Sequence, residues 1–211
     1  MKANKSKRRM LVFDTAWTYS MMKERDLEKI VTGRDLDGYF DHIWSIHGVA
    51  SLVYSENSQY RFGKPRRFKI NDKHTLIEGK IGKFKLLKYL PIINLLFSQL
   101  EIIFIGFKII KRNKISLIRA EDPLYNGLLA FILSKLTQIP FIVGVWGNPG
   151  QQRSVNKKPM YPRLFKFIWI EEFVERFILG NAKKIMVQNE NNRNYILMKG
   201  IKKSKTEITR L

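Results

Sequence analysis

Short apolar runs alternate with longer helical-period stretches along most of the chain, and the alternation predicts successive strand and helix units. Residues 10–13 (Met-Leu-Val-Phe) lie between a basic segment and Asp14 and read as a buried first strand. Residues 42–46 (His-Ile-Trp-Ser-Ile) suggest a second strand, and residues 114–119 another, with its exit at Ala120-Glu-Asp-Pro123. Asp122 before Pro123 marks a helix start, because an oxygen side chain caps free N–H groups and Pro fits the first helical position. The helix over residues 124–137 is apolar on most sides, and Gln138-Ile-Pro140 ends it. Residues 141–145 (Phe-Ile-Val-Gly-Val) have the unbroken apolar character of a parallel strand buried on both faces. A turn-rich exit follows at 146–150, then a polar, basic segment to Pro162 that reads as a mobile loop. A long helix carrying Phe165, Trp169, Phe173 and Ile178 is closed by Gly180-Asn181 in the manner of a C-cap. A short strand over 183–187 and a helix from Gln188 to Gly200 complete the series.

Two stretches stand apart from this series. Residues 89–107 carry a single charge, Glu101, in a window long enough to cross a bilayer core. Pro91, Asn94, Ser98, Gln99 and Glu101 argue against a span, so the expectation is a buried or membrane-surface helix. Basic clusters on both sides leave no orientation preference. Just upstream, residues 79–90 place Ile81, Phe84 and Leu87 at steps of three, with Lys80, Lys83 and Lys88 off that stripe. The spacing suits an interfacial helix and equally a solvated helix packed by its apolar side; Lys80, Lys83, Phe84 and Lys88 are its membrane-surface candidates.

Successive βα units with short links predict an α/β fold, a Rossmann-like doubly wound parallel sheet with helices on both faces and right-handed crossovers. The expected organisation is a basic tail over residues 1–9 and a single domain over 10–211. Ligands in such sheets sit at the carboxyl ends of the strands. The loops after Phe13, Arg119, Val145 and Val187 therefore carry the candidate chemistry. They hold Asp14, Thr15 and Trp17; Arg119, Glu121 and Asp122, with Asn126 just beyond; Trp146 and Asn148; and Gln188, Asn189 and Glu190.

Composition narrows the class. Hydrophobic residues at 45% and aromatics at 12% supply an ordinary globular core across 211 residues, which excludes wholesale disorder. The absence of Cys excludes disulfides, thiolate metal sites and a thiol nucleophile, and makes the reducing cytoplasm the default compartment. Three His without a HExxH pair give no catalytic zinc site. The short run at 10–13 falls far short of a secretory signal core. Thirty-nine Lys and Arg against 18 Asp and Glu give a formal charge of +21, which draws the chain to polyanions. The excess of Lys over Arg suits a diffuse anionic surface better than bidentate base reading. No aromatic strand signature, zinc-finger spacing or clear helix-turn-helix supports specific nucleic-acid binding.

The order of the pieces resembles the N-terminal domain of family 4 glycosyltransferases with the GT-B fold. Residues 118–150 (IRAEDPLYNGLLAFILSKLTQIPFIVGVWGNPG) are similar to the middle of that domain. Residues 173–201 (FVERFILGNAKKIMVQNENNRNYILMKGI) are similar to the segment that follows, and residues 10–47 look like an N-terminal variant seen in that family. The resemblance implies one half of a GT-B fold, in which this domain holds the acceptor and a second domain binds the nucleotide-sugar donor. It implies no resident cofactor and no metal, since helix dipoles and basic side chains stabilise the leaving diphosphate. The chain departs from the pattern in three places. The Gly-Gly loop after the first strand is replaced by Asp14-Thr-Ala-Trp17, and Trp146 stands where many relatives place a His. The sequence also reaches Leu211 about where the second domain would begin. The expectation is thus an acceptor-side domain, inactive without a donor-binding domain or chain. It would work in the cytoplasm against the anionic inner face of the membrane, on a membrane-associated or polysaccharide-precursor acceptor.

Each candidate has a plain structural reading beside the chemical one. Asp122 is a catalytic acid or a helix cap; Glu121 has no such local role and is the stronger catalytic candidate, with His47 a third. Arg119 pairs with an acceptor phosphate or with Glu121. Asn148 binds a sugar hydroxyl or shapes a turn, and Trp17 and Trp146 stack on a sugar ring or plug the cleft floor. The alternative for the whole chain is a non-catalytic basic module that binds anionic membrane or nucleic acid.

Overall fold

The computed structural model describes residues 8–35, 38–52, 61–162 and 164–209; most of the basic tail lies outside the described residues. Eight strands form one sheet: β1 (Arg9–Phe13), β2 (His42–His47), β3 (Arg66–Asn71), β4 (His74–Glu78), β5 (Leu117–Ala120), β6 (Phe141–Val145), β7 (Lys184–Val187) and β8 (Thr206–Ile208). Their spatial order is β3-β4-β2-β1-β5-β6-β7-β8. All neighbouring pairs are parallel except β3 with β4. The helices are α1 (Tyr19–Glu24), α2 (Glu28–Thr32), α3 (Pro91–Asn113), α4 (Tyr125–Thr137), α5 (Pro149–Asn156), α6 (Ile168–Asn181) and α7 (Glu190–Met198). The α/β, Rossmann-like class predicted from the pattern is the observed one.

The central strand shows why its sequence is apolar at every position. Leu11 and Phe13 enter the main core with Ile102 of α3, Leu129 and Leu133 of α4, and Ile178 of α6. Met10 and Val12 point the other way, into a smaller cluster with Phe40 and Ile43. A strand covered on both faces has no polar positions to alternate with. From β1 the chain steps to β2 on one side; after β4, α3 carries it back to β5 on the other side. The reversal leaves a crevice between the tips of β1 and β5, the place where open α/β sheets bind ligands.

Several local expectations are corrected. Residues 66–78 form a hairpin that the charge pattern concealed, and its outer strand alternates half-buried Phe68 and Ile70 with exposed Arg67 and Lys69. Charged residues on an edge strand oppose pairing with another sheet. Residues 79–84 are not helical, and only Lys85–Tyr89 makes a short 3₁₀ turn. The extended path follows from close packing: a Cβ on Gly79 would lie 2.2 Å from the Gly48 carbonyl oxygen. The backbone N–H groups of this segment are taken by side chains, Ile81 N–H by Ser51 Oγ at 2.8 Å and Lys83 N–H by Asn94 Oδ1 at 2.7 Å. Lys80 is consequently only 5% exposed and cannot belong to a membrane-facing stripe, whereas Phe84 and Lys88 are exposed. The region read as a loop before Pro162 contains α5. Gly180 lies inside the last turn of α6, which ends with Ala182 extended rather than in a left-handed glycine cap. The last strand, β8, had no counterpart in the sequence reading.

Candidate functional site

A cleft of about 460 Å³ opens at the switch point. It is lined by Asp14, Thr15, Ala16 and Trp17 after β1, Gly33 and Arg34 after α2, and Arg119, Glu121, Asp122 and Asn126 around the exit of β5. Trp146 after β6 and Tyr161 complete the wall. Eight of the residues proposed from sequence thus meet in one place: Asp14, Thr15, Trp17, Arg119, Glu121, Asp122, Asn126 and Trp146.

Two carboxylates anchor an ionic lattice on one side. Asp14 accepts from Ala16 N–H at 2.7 Å, which shapes the turn after β1, and its other oxygen accepts from Arg34 Nη2 at 2.5 Å. Glu121 lies 2.9 Å from Arg119 Nε and 3.6 Å from Arg34 Nε, and accepts from Trp146 Nε1–H at 2.7 Å. It thus meets two guanidinium groups and an indole, and the Arg119 pair with Glu121 anticipated from the sequence is present. Burial opposes the charge on Arg34, but Asp14 and Glu121 overcome it and raise its pKa. Gly144 is required here: a Cβ at that position would lie 2.6 Å from the Trp146 ring, which folds back over β6.

Asp122 faces the cleft from the other side. Its Oδ1 accepts from Leu124 N–H at 2.8 Å and from Asn126 N–H at 3.3 Å, so it caps the start of α4 from two residues outside it. The second oxygen accepts from Tyr161 Oη–H at 3.3 Å and from the Asn126 side-chain amide. Burial raises its pKa to about 6, against the lowering effect of these hydrogen bonds. Four buried polar atoms of the cleft lining make no hydrogen bond among the described residues: Arg119 Nε and Glu121 Oε1, which meet as an ion pair at 2.9 Å, and Arg34 Nη1, a donor, and Asn126 Oδ1, an acceptor. An unmatched buried donor or acceptor costs stability unless a ligand or water satisfies it.

Sequence reasoning missed Arg34 and Tyr161. Tyr161 is placed by an ionic clasp behind the cleft. Glu171, fully buried on α6, accepts from Met160 N–H and Tyr161 N–H at 3.1 Å each and from Arg153 Nε at 2.6 Å. Arg153 also donates to Glu175 at 2.7 Å, and Tyr195 Oη–H donates to the same carboxylate at 2.8 Å. The detectable signal was the pair Glu171 and Glu175, four residues apart on the otherwise apolar stripe that leads to Ile178.

His47 lies in an adjoining cavity of about 390 Å³, lined also by Thr15, Val49, Leu52, Met160 and Tyr161. Its Nδ1–H donates to the Trp17 carbonyl at 3.0 Å, and burial lowers its pKa, so the ring is neutral. The remaining candidates stay outside the main cleft. Asn148 caps α5, accepting from Gln151 N–H at 3.0 Å. Glu190 pairs with Arg193 at 2.7 Å, and Gln188 is exposed.

The fold has solved counterparts. Sucrose-phosphate synthase from Thermosynechococcus elongatus superposes with a TM-score of 0.62 at 12% identity, over 97% of this chain and 48% of that one. Anabaena HepE, solved with UDP and glucose, gives 0.56 at 10% identity, over 96% and 44% of the two chains. UDP-N-acetylglucosamine 2-epimerase from Rickettsia bellii gives 0.53 at 14% identity, over 97% and 44%. This chain therefore spans about half the length of each, and its fold is that of half a GT-B structure. No protein-family model and no curated protein sequence matches the chain.

Proposed function

We propose that this domain presents an acceptor hydroxyl for glycosyl transfer from a nucleotide-sugar donor. The donor is a co-substrate held by a second lobe, in the same polypeptide or a separate chain, and no resident cofactor is called for. The observation that carries the reading is the switch-point cleft, whose lining holds a buried donor and a buried acceptor without hydrogen-bond partners together with a carboxyl group of raised pKa. Sugar hydroxyls both donate and accept, so a sugar in the cleft offers a partner of the right kind to Arg34 Nη1 and to Asn126 Oδ1. Trp17 and Trp146 on the wall offer apolar ring faces of the kind that pack on a pyranose.

In this reading Asp122 is the general base. As the acceptor oxygen bonds to the anomeric carbon, the bond from that carbon to the donor diphosphate breaks. The electron pair leaves on the diphosphate, and the hydroxyl proton passes to the Asp122 carboxylate. Glu121, Asp14 and Arg119 hold the cleft in shape, and His47 stands behind it. The acceptor is membrane-borne, and the domain works at the cytoplasmic face of that membrane.

Intrinsic fluorescence tests the acceptor half without needing the donor. Free mono- and disaccharides and their lipid-linked phosphates are titrated into the full chain. Saturable quenching that is lost in Arg34→Met and weakened in Trp146→Phe is the expected result. Salt-sensitive binding to random oligonucleotides, with no response to any carbohydrate, would overturn the proposal and favour the basic binding module.

A further inference from the structure

We infer that the outer ridge of α3, with the 3₁₀ turn leading into it, docks flat on an anionic lipid surface. The inference stands independently of the sugar-transfer reading. It comes from how α3 divides its faces. Asn94, Ser98, Ile102, Gly106 and Ile110, each four residues apart, are all buried. The two polar members moor the helix: Asn94 accepts from the N–H groups of Lys83 and Phe84 and donates to the Phe84 carbonyl, and Ser98 Oγ–H donates to the Lys80 carbonyl. The opposite ridge exposes Ile93, Leu96, Phe97, Leu100 and Phe104 over about three turns. The lead-in adds Leu86 at 94% and Tyr89 at 81% exposure. A contiguous apolar surface of this kind on a water-facing helix marks an interaction site.

Charge selects the occupant. Lys85 and Lys88 precede the apolar ridge, and Lys108, Lys111 and Arg112 follow it. Three ammonium groups lie over rings of the same segment: Lys88 at 4.7 Å from Tyr89, Lys108 at 4.1 Å from Phe104 and Lys111 at 5.6 Å from Phe107. Such side chains rest their stems on apolar surface and send their charge to a polar layer beside it. The single carboxylate of α3, Glu101, is 3.6 Å from Lys83 and so presents no free negative charge. Apolar groups between two sets of cations match the acyl boundary and the phosphates of an anionic leaflet. Cations at both ends suit a helix lying in the plane, and the buried ridge keeps α3 on its sheet.

The full chain is sedimented with vesicles of phosphatidylcholine alone and of phosphatidylcholine mixed with phosphatidylglycerol. Binding should be at least about tenfold tighter on the anionic vesicles and should weaken with salt. The substitutions L96E/L100E/F104E, all at exposed positions, should remove it, whereas M198E on the far helix, at an 83% exposed site, should not. K85E/K88E/K108E/K111E should abolish the preference for anionic lipid. The chain contains no Cys, so L100C and M198C each accept one environment-sensitive fluorophore, a readout that needs no disruptive variant. A blue shift with vesicles at position 100 alone supports the inference. Unchanged sedimentation of the triple glutamate variant, or no shift at position 100, overturns it. A label at 100 already shielded without vesicles, in a chain that sedimented as a dimer, would assign the face to a second copy instead.

Discussion

In the proposed reaction, Asp122 carries the most chemistry of any single residue in the cleft. Its carboxyl group, pushed up to about 6 by burial, is mostly ionised at neutral pH yet still more basic than an ordinary Asp. Transfer should therefore rise with pH through about 6 and level off above it. Asp122→Asn keeps an oxygen for the Leu124 and Asn126 N–H groups but removes the base, so it should lose the pH step and about 10²–10⁴ in rate while remaining folded. A pH–rate profile of the two proteins, each completed by the donor-binding lobe, with the melting curves of the chain itself, checks both parts. Arg153 poses the opposite case, a residue whose work is structural. It is enclosed by two fully buried carboxylates, and Arg153→Met would leave Glu171 with no cation, only backbone N–H donors, and Glu175 with Tyr195 and the more distant Lys199. The expected cost is about 3–5 kcal/mol in urea unfolding, and the triple variant R153M/E171Q/E175Q should recover most of it. Because Glu171 holds the Tyr161 backbone, the single variant should also loosen the cleft wall.

Among the elements, α3 and α4 show how close packing is written into one residue. A Cβ on Gly106 would meet Leu133 Cδ1 at 2.6 Å, so the two helices approach each other only because no side chain intervenes. Gly106→Val should cost about 1–3 kcal/mol in chemical denaturation, and Leu133→Ala in that background should return part of the loss by making room. The elements also explain what could be seen in advance. Strand β6 and helix α4 were legible from their apolar runs, whereas β5 and β7 were legible from the short apolar stretches Leu117-Ile118 and Ile185-Met186-Val187 between turn signals. The β3–β4 hairpin was not, since Arg66, Arg67 and Lys69 draw attention to charge and away from the alternation of Phe68 and Ile70. Among the site residues, those directly after β1, β5 and β6 could be located by strand order. Arg34 and Tyr161 could not, because loops far away in sequence bring them in, and only the folded chain shows where they arrive. Asn148 and Glu190 come from the expected loops, yet local caps and pairs claim their side chains.

At the scale of the whole molecule, the cleft and the apolar ridge lie at related positions. Strands β4 and β5 run in the same direction, so α3, which joins the end of one to the start of the other, must run back against them. Its first turns therefore lie at the same end of the sheet as the tips of β1 and β5. If the ridge rests on lipid, as the vesicle measurements would establish, the cleft opens close to the bilayer surface. A headgroup could then reach Asp122 without leaving its leaflet. The mooring of α3 has a further consequence during synthesis. By length and composition alone, this stretch is long and apolar enough to be threaded across a bilayer as it leaves the ribosome. Asn94, Ser98 and Glu101 make that route costly, and the same Asn94 and Ser98 then reward the alternative by fastening the helix to its own sheet. Three polar side chains thus weigh against a path through the bilayer, and two of them tie the segment to its own sheet.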